Sequence, residues 1–414
     1  MRILFLSQWF APEPHFKGLP FALELQRRGH EVIVLTGFPN YPGGCLYPGY
    51  KLKLWQRESI SGVSVVRVPL YPSHSKSALG RALNYIGFAL SASVLGPLLI
   101  GSVSVAYVYH PPATIGLPAL CWQWLWRVPS VYDVQDLWPD TLASTGMVRS
   151  ALLLSVIGGW SNFVYRRMEH VVVLSPGFRD SLIRRGVEPR SISVIYNWSP
   201  DADSSEDLPS LSEEERRLLS GRFNVLFAGN MGPAQALESV LRAAKLAYER
   251  APEIQFVFVG GGLALDELKA YARAEVIKNV VFLPRRSAAE MPALYSFSDA
   301  LLVHLKDDPL FEITIPSKTQ TYLAAGRPIV MAVRGDAAEL VRRSGSGICC
   351  APEDPNSILS AVLRLVSLPV GVRQQMGDSG REFYRKHLDF RGRVGEFERL
   401  LASVETLGIC RPVV

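Results

Sequence analysis

The order strand, glycine-containing loop, helix, strand occurs twice in this chain, at its start and again in its middle. In the first instance the apolar segment Arg2 to Trp9 precedes Gly18 and a helical pattern, and Glu31 to Thr36 forms the next strand. In the second, Asn224 to Ala228 precedes a glycine-rich loop and the helical pattern Ala236 to Ala251. This order is typical of βαβ units in parallel sheets. It predicts two Rossmann-like, doubly wound α/β domains.

Further strand-like segments divide between the two domains. They lie at residues 63–68, 103–109, 130–134, 171–174 and 194–196, and then at 255–259, 280–283, 300–303, 329–332 and 347–350. Ser199 to Glu215 is rich in Ser, Asp, Pro and Glu, which indicates a linker or a surface insertion. The amphipathic pattern from Arg381 to Val404 predicts one long helix. We therefore predict an N-terminal domain over residues 1–200, a C-terminal domain over 201–385, and a helical segment over 386–414 that returns to the first domain.

The composition favours a globular protein with anionic partners. Hydrophobic residues make up 48% and charged residues 20% of the chain, which excludes a disordered protein. The net charge of +6 suits nucleotide sugars, lipid phosphates or an anionic membrane. The chain has no arginine-rich arm and no zinc-finger spacing, so we expect no nucleic-acid partner. Five cysteines without a CxxC pair indicate a reduced, cytosolic compartment, and the short apolar run Ile3 to Phe10 predicts a buried strand, not a signal peptide.

One region suggests contact with a membrane. Ala82 to Val108 carries almost no charge but is interrupted by polar residues, and Trp122, Trp124 and Trp126 stand beside Arg127. Indole rings near a cation are typical of the membrane interface. The alternative is a buried domain helix followed by core tryptophans. We expect peripheral contact with an anionic membrane in preference to a transmembrane span.

The segment Pro316 to Val330 has the pattern of a phosphate-binding helix start. Unpaired N–H groups and the positive end of the helix dipole meet at a helix N-terminus. Ser317 is positioned to cap this helix, and Lys318 adds a full positive charge. The alternative is an ordinary capped helix with a solvated lysine. A phosphate or pyrophosphate site is the sharper prediction.

Other candidate ligand groups also follow predicted strands. Ligands of open α/β folds bind at the carboxyl ends of the strands, so two such domains facing each other predict a cleft there. The candidate residues for this cleft, besides Ser317 and Lys318, are Gly18, Gly229, Asn230, Gly232, Arg285 and Arg286. Each of them alone is compatible with a tight turn or a solvated charge. Their shared position after strands favours a phosphorylated ligand.

The whole chain resembles the retaining glycosyltransferases of family 4, which have the GT-B fold and use nucleotide sugars. Within them it resembles the bacterial subgroup that includes N-acetyl-L-fucosamine transferases of O-antigen and capsule assembly. The resemblance covers nearly the full length and rests on the order of these motifs: Phe10-Ala11-Pro12-Glu13-Pro14, residues 28–37, residues 38–44, Gly49-Tyr50, residues 133–140, Asn197-Trp198, residues 228–232 and residues 316–328.

The resemblance implies a retaining transfer of a hexosyl or N-acetylhexosaminyl group from a UDP-sugar. The pyrophosphate would bind at the predicted helix start and near Gly18, with Arg285 and Arg286 on the base or phosphate and Glu312 on the sugar hydroxyls. Departure of UDP would leave an oxocarbenium-like centre that the acceptor hydroxyl attacks from the same face. Neither metal nor cofactor is expected, because cations and the helix dipole stabilise the leaving diphosphate and no DxD motif follows a strand.

Two residues are candidates on the acceptor side. Asp136 follows the predicted strand 130–134 and has the chemistry to orient or deprotonate an acceptor hydroxyl, or else to cap the next helix. His110, before Pro111 and Pro112, is the second candidate, although a lone histidine is more often structural.

The chain also departs from the family pattern. Many members carry two glutamates eight positions apart, and the place of the second is Thr321 here, which we therefore include among the candidate donor-binding residues, while Glu312 falls one residue off the place of the first. Many members also have a lysine where this chain has Gln235, a charge that Lys318 replaces.

The resemblance implies a polyprenyl-diphosphate-linked sugar as acceptor and a location on the inner face of the bacterial cytoplasmic membrane. Two alternatives remain: a GT-B UDP-sugar epimerase, and a non-catalytic nucleotide-sugar-binding partner of a transferase. Thr321 in place of the usual glutamate is the best support for the second.

Overall fold

The computed structural model describes residues 1–73, 78–199 and 211–409. The chain divides into two compact units. The first comprises Met1–Ile195 together with the chain from Arg391 onwards, and the second comprises Tyr196–Phe390. Each unit has its own sheet, so the predicted pair of parallel-sheet α/β domains is confirmed.

The first unit contains an eight-stranded sheet in the order β3-β4-β2-β1-β5-β6-β7-β8. Its strands are β1 Arg2–Leu6, β2 Glu31–Gly37, β3 Gln56–Ile60, β4 Val63–Val68, β5 Val105–His110, β6 Ser130–Val134, β7 His170–Val173 and β8 Ile192–Val194. Its helices before the crossover to the second unit are α1 Leu19–Arg27, α2 Ala78–Ile100, α3 Gly116–Trp126, α4 Asp140–Ser144, α5 Ala151–Arg167 and α6 Pro176–Arg184. All neighbouring strands are parallel except β3 and β4.

The strands of this sheet show two kinds of sequence. β5 and β6 are buried along their whole length, as parallel strands covered on both faces are. The edge strand β3 is polar and alternates between half-buried and exposed residues. Because β3 has no apolar run, it was not predicted from the sequence.

The second unit contains a six-stranded parallel sheet in the order β11-β10-β9-β12-β13-β14. Its strands are β9 Phe223–Asn230, β10 Ile254–Gly261, β11 Val280–Leu283, β12 Ala300–His304, β13 Ile329–Ala332 and β14 Gly347–Cys349. Its helices are α7 Glu213–Leu219, α8 Leu237–Arg250, α9 Leu265–Ala274, α10 Met291–Ser296, α11 Pro309–Glu312, α12 Ser317–Ala325, α13 Asp336–Ser344, α14 Pro355–Ser367 and α15 Val370–His387. Its core includes Val240, Leu241 and Ala244 of α8 with Phe256 of β10.

The last helix, α16 Phe390–Ile409, packs in the first unit. Its Glu398 pairs with Arg28 at 3.0 Å and with His30 at 2.8 Å. Its Phe397 ring contacts Phe21 at 5.4 Å between centroids. These contacts attach the end of the chain to α1 and to the start of β2.

Two local predictions are wrong. The pattern from residue 381 to 404 is not one helix, because α15 ends at His387 and the fully buried Leu388 leaves helical geometry, with φ −136° and ψ 1°. The predicted linker 199–215 is partly helical: Ser212 and Glu215 form a capping box that starts α7. Residues 200–210 of that linker lie outside the described residues.

The helices α2, α3 and α5 each expose apolar side chains, and we call this set of side chains the apolar face. α2 packs on β2 and β4 and against α3, and α3 packs against α5. The Trp124 ring of α3 lies 6.3 Å from the Phe163 ring of α5. The exposed side chains of the apolar face are Leu79, Leu83, Ile86, Leu90, Val94, Leu98, Trp124, Leu125, Trp126, Leu152, Leu153, Val156 and Phe163. By length and composition, α2 from Leu79 is long and apolar enough to cross a membrane.

Trp122 does not belong to this surface. Its side chain is 0% exposed and lies beneath α2, where a Cβ on Gly96 would stand 3.5 Å from its Nε1 atom. Trp124 and Trp126, in contrast, are 55% and 46% exposed. The prediction of three interfacial tryptophans is therefore wrong for Trp122, which occupies the core-facing side of α3.

Candidate functional site

A pocket of about 630 Å³ lies at the carboxyl ends of β9 and β10 in the second unit. It brings together seven of the predicted ligand residues, namely Gly229, Asn230, Arg285, Arg286, Ser317, Lys318 and Thr321. Its wall also includes Tyr322, whose hydroxyl accepts a hydrogen bond from the Ala228 N–H at 2.9 Å.

Glycines make the strand ends compatible with this pocket. Gly229 has φ +129°, and a Cβ there would lie 3.0 Å from Cε of Lys318. Gly260 of β10 has φ +135°, and a Cβ there would lie 2.1 Å from the Gly229 carbonyl oxygen. Larger residues at either position would clash with backbone or displace Lys318.

The start of α12 supplies hydrogen-bond donors to the pocket. Pro316 is the N-cap and makes no side-chain cap, so the prediction that Ser317 caps the helix is wrong: Ser317 is the first helical residue. The Thr319 N–H bonds the Pro316 carbonyl at 2.8 Å. Within the described residues, the N–H groups of Ser317 and Lys318 bond no acceptor. This is the donor arrangement that binds phosphate at helix N-termini.

Lys318 is the most informative residue of the pocket. Its half-buried side chain lies against the Phe227 ring, with Nζ 4.8 Å from the ring centroid. Burial lowers its pKa from 10.5 to about 8. In the described part of the chain its ammonium forms no ion pair and no hydrogen bond. A desolvated, unpaired cation is costly unless an anion joins it.

The two arginines differ in their partners. Arg286 pairs with Glu215 and, at 3.3 Å, with Glu290. The exposed Arg285 guanidinium has no bond to any described residue. Among the described residues, no Asp or Glu lines the pocket, so its charged groups are the three cations.

The structure does not place the other second-unit candidates in the pocket lining. Glu312 is exposed at the end of α11, where its carbonyl oxygen would lie 1.9 Å from a Cβ on Gly335. Gly232 lies in the turn after β9, and its N–H donates to the Gln235 side-chain oxygen at 3.0 Å. The side chain of Gln235 therefore stabilises this turn, and it does not provide the positive charge that many family members have at this position.

The remaining candidates belong to the first unit. Gly18 is the N-cap residue of α1. His110 ends β5 and is 0% exposed, and neither of its ring nitrogens is hydrogen-bonded to a described residue. Burial lowers its pKa from 6.5 to about 3. A neutral ring with so low a pKa is a poor proton acceptor at neutral pH.

Asp136 follows β6 at the carboxyl edge of the first sheet. Burial raises its pKa from 3.8 to about 6. Its carboxylate has no hydrogen bond or ion pair within the described residues. It does not cap the following helix, since the N-cap of α4 is Pro139. A carboxylate without a partner and with a pKa near neutrality suits a general base.

A buried cluster next to Asp136 was not predicted from the sequence. Asp133 accepts hydrogen bonds from Lys17 at 2.7 Å, from the Tyr107 hydroxyl at 2.5 Å and from Gln135 at 2.7 Å. Both members of the Lys17–Asp133 ion pair are fully buried. The sequence shows only that Lys17 lies in a predicted loop and Asp133 in a predicted strand. Which of them pair depends on the fold.

His110 leads to a prediction about acid stability. Its folded pKa of about 3 lies below its ordinary value of 6.5, so the unfolded chain takes up a proton first as the pH falls. The contribution of the neutral His110 ring to the free energy of unfolding is therefore fully present above pH 6.5 and is lost progressively as the pH falls below that value. We expect His110→Phe to reduce the loss of unfolding free energy by about 1.4 kcal/mol per pH unit as the pH falls from 6 towards the folded pKa of about 3. Urea titrations at several pH values measure this slope, and equal slopes in both proteins would show that His110 is protonated in the native state.

Within residues 1–73, 78–199 and 211–409, no group of three or more His, Cys, Asp or Glu side chains is arranged to hold a metal ion.

Comparison with known proteins gives consistent matches to both units. The family model described as a glycosyl transferase 4-like domain matches residues 19–198, and that of glycosyl transferases group 1 matches residues 222–367. A relative in Escherichia coli K12, named as a colanic acid biosynthesis glycosyl transferase, WcaI, is 25% identical over 88% of this chain and 90% of its own length. A Pseudomonas aeruginosa relative named as the glycosyltransferase WbjE is 25% identical over 57% of this chain and 59% of its own length.

Solved structures share the fold at low identity. HepE of Anabaena, solved with UDP and glucose, superposes with a TM-score of 0.67 at 16% identity, over 97% of this chain and 100% of its own. The trehalose 6-phosphate synthase of Burkholderia multivorans gives a TM-score of 0.73 at 13% identity, over 98% and 99% of the two chains.

Proposed function

This chain belongs to the GT-B glycosyltransferases that join a glycosyl transferase 4-like domain to a group 1 domain, and from this membership we propose that it uses a UDP-sugar. The proposed reaction is the retaining transfer of a hexosyl or N-acetylhexosaminyl group to a polyprenyl-diphosphate-linked sugar. Its proposed role is bacterial surface polysaccharide assembly, since the E. coli relative is named for colanic acid biosynthesis.

The Lys318 ammonium, which has no anionic or hydrogen-bonding partner among the described residues, is the observation that carries this proposal. It belongs to the same pocket as the N–H groups of Ser317 and Lys318, which bond no described acceptor, and the described lining of that pocket has no acidic residue. A diphosphate supplies the anion that this cation and these donors lack. HepE was solved in complex with UDP and glucose, which supports a uridine nucleotide as the occupant.

In the proposed step, the bond between the sugar C1 and the diphosphate oxygen breaks, and UDP leaves with the electron pair. The acceptor hydroxyl forms its bond to C1 from the same face, and Asp136 accepts the hydroxyl proton. Lys318, Arg285 and the α12 N-terminus stabilise the charge that develops on UDP. Because side chains and dipoles do this, we expect EDTA to leave the activity unchanged.

The decisive experiment incubates a short-chain polyprenyl-diphosphate-linked sugar with a panel of UDP-sugars that includes UDP-N-acetyl-L-fucosamine. Mass spectrometry detects the product, and the anomeric coupling in its NMR spectrum tests retention. UDP release that depends on acceptor supports the transferase. Turnover without acceptor would indicate an epimerase. Donor binding without turnover would indicate the non-catalytic partner, which Thr321 in the pocket favours.

We propose that the apolar face lies on the cytoplasmic surface of an anionic membrane. The sequence from Tyr71 to Arg127 and from Thr141 to Met168 contains no Asp or Glu, but it contains arginines. An exposed apolar surface carried by segments with arginines and without acids suits anionic lipid. The opposite side of α2 is attached to the unit: Phe88 is fully buried, and Asn84 bonds Gln8 and Asn40. These contacts favour a helix that lies on the membrane over one that crosses it.

The membrane proposal predicts a loss of vesicle binding. Changing Trp124, Leu125 and Trp126 together to serine removes apolar area from the apolar face. We expect the affinity for vesicles of phosphatidylglycerol and phosphatidylcholine to fall by at least about tenfold in a sedimentation assay. Leu263→Ser is the matched control, because Leu263 is 90% exposed in the second unit. Equal binding by the triple variant and the parent would refute membrane contact through this face.

A further inference from the structure

The first unit contains an aromatic cluster that the proposed reaction does not use. The Trp9 ring, just after β1, lies 5.0 Å from the Tyr41 ring, which follows β2. It lies 6.2 Å from the Tyr85 ring of α2, at an interplanar angle of 77°. All three side chains are half-buried, whereas the core rings of Phe5 and Phe21 in the same unit are fully buried. The three rings therefore present aromatic surface at the carboxyl edge of the sheet.

A buried carboxylate holds the two loops of this cluster together. Glu13, only 4% exposed, accepts hydrogen bonds from the N–H groups of Asn40 at 2.7 Å and Tyr41 at 2.8 Å. It also accepts one from the Phe10 N–H at 3.2 Å, beside Trp9. The Tyr41 carbonyl accepts from the Tyr47 hydroxyl at 2.8 Å. The rings are thus fixed before any ligand arrives, which lowers the entropic cost of binding.

The third ring is fixed through α2. Asn84, next to Tyr85, accepts a hydrogen bond from Gln8 at 2.5 Å and donates one to Asn40 at 3.0 Å. Arg81 stands one helical turn before Tyr85, and its positive charge acts to lower the pKa of that phenol. A cation therefore adjoins the cluster, at the end of the helix that carries much of the apolar face.

The cluster lies on the same rim as the candidate base. Tyr109 belongs to β5, and its ring contacts His15 at 4.2 Å. Burial raises the pKa of Tyr109, and the charges of Asp133, Asp136 and Tyr41 add to this effect in that order. In the sheet, β2, β1, β5 and β6 are successive parallel neighbours, so Tyr41, Trp9 and Asp136, which follow β2, β1 and β6, lie along the same carboxyl edge.

We propose that Trp9, Tyr41 and Tyr85 form the subsite for the sugar ring of the acceptor, which stacks its C–H face on them and presents a hydroxyl to Asp136. Fixed aromatic side chains with a few polar groups at their edge are typical of sites for small ligands. The donor pocket belongs to the second unit, so the cluster is free for the second substrate. This inference rests on the proposed glycosyl transfer, and it identifies the acceptor by its pyranose ring.

The test compares Trp9→Ala with Trp9→Phe and Tyr85→Leu. With a short-chain prenyl-diphosphate-linked N-acetylglucosamine as the probe, we expect Trp9→Ala to raise the acceptor KM by about tenfold or more, as loss of an aromatic anchor does. Trp9→Phe keeps a ring and is expected to retain most of the affinity. The donor KM should change by less than about twofold, because the donor binds elsewhere. Trp55→Ala is the control for removal of a partly exposed tryptophan of the same unit.

Saturation-transfer NMR with the same probe separates the inference from the proposed function. Saturation of the sugar ring protons in the parent, lost in Trp9→Ala, supports the subsite even if no turnover occurs. Turnover with an unchanged acceptor KM in a folded Trp9→Ala protein overturns the subsite and leaves the transferase intact. If Trp9→Ala does not fold, the acceptor KM and the saturation of the sugar ring protons are measured for Tyr85→Leu instead, and they are interpreted in the same way. Absence of ring-proton saturation in the parent also overturns the subsite.

Discussion

Replacing Lys318 by alanine is expected to lower kcat/KM for the UDP-sugar by about 10²–10³-fold, the usual effect of removing one group that stabilises developing charge. Its ammonium adjoins the α12 N-terminus, is partly desolvated and has no anionic partner among the described residues. Lys318→Glu should have a larger effect, because a carboxylate there repels the diphosphate. Steady-state kinetics with the identified donor, together with calorimetric UDP binding, measure both changes.

The control for this prediction is Lys278→Ala. Lys278 is an exposed lysine of the same unit that also lies over an aromatic ring, 5.7 Å from the Tyr248 centroid, but outside the pocket. It should behave as the parent. The lowered pKa of Lys318 also predicts how UDP binding depends on pH, because in the free protein Lys318 loses its positive charge as the pH rises through about 8. UDP affinity should weaken above that pH in the parent and not in Lys318→Ala. Folded Lys318→Ala with parental UDP binding would remove the basis of the donor site.

Replacing Asp136 by asparagine is expected to lower kcat by about 10²–10⁴-fold, the range of general base catalysis. The change keeps the shape of the side chain and removes its proton affinity. Because burial raises the pKa of Asp136 to about 6, the activity of the parent should increase as the pH rises through that value. The activity of the variant should not show this increase. A pH series of acceptor-dependent UDP release measures both effects.

Donor binding is the internal control for Asp136→Asn. Asp136 belongs to the first unit and the donor pocket to the second, so calorimetric UDP affinity should stay within about twofold of the parent. Asp180→Asn serves as the matched variant, since Asp180 is an exposed acid of the same unit. A small kcat loss with an unchanged pH profile would show that another group, or the departing diphosphate, takes the proton.

Much of the donor site was predictable because its residues follow strands. Gly229 lies in the last two residues of β9 and Lys318 in the first turn of α12, the helix before β13, so parallel-sheet topology alone predicts their convergence at one edge. The exact positions of the side chains at this site were not predictable in the same way. Ser317 has the chemistry of a helix cap, but the N-cap residue is Pro316. Glu312 was expected at the sugar hydroxyls, but it ends a short helix outside the pocket lining. A difference of one residue along a helix start changes the direction of a side chain, and local pattern does not fix it at that level.

The sequence by itself determined the two-domain α/β architecture, the order of most strands along the chain and the phosphate-type helix start, because these depend on local periodicity and on turn residues. Only the tertiary structure decided which groups are buried and what they contact. Trp122 is buried and Trp124 is exposed, and Lys17 pairs with Asp133 across 116 positions of the chain. Lys318 has no anionic or hydrogen-bonding partner among the described residues. Burial and pairing set the pKa values and the free binding capacity of side chains, and both are properties of packing between segments that are distant in sequence.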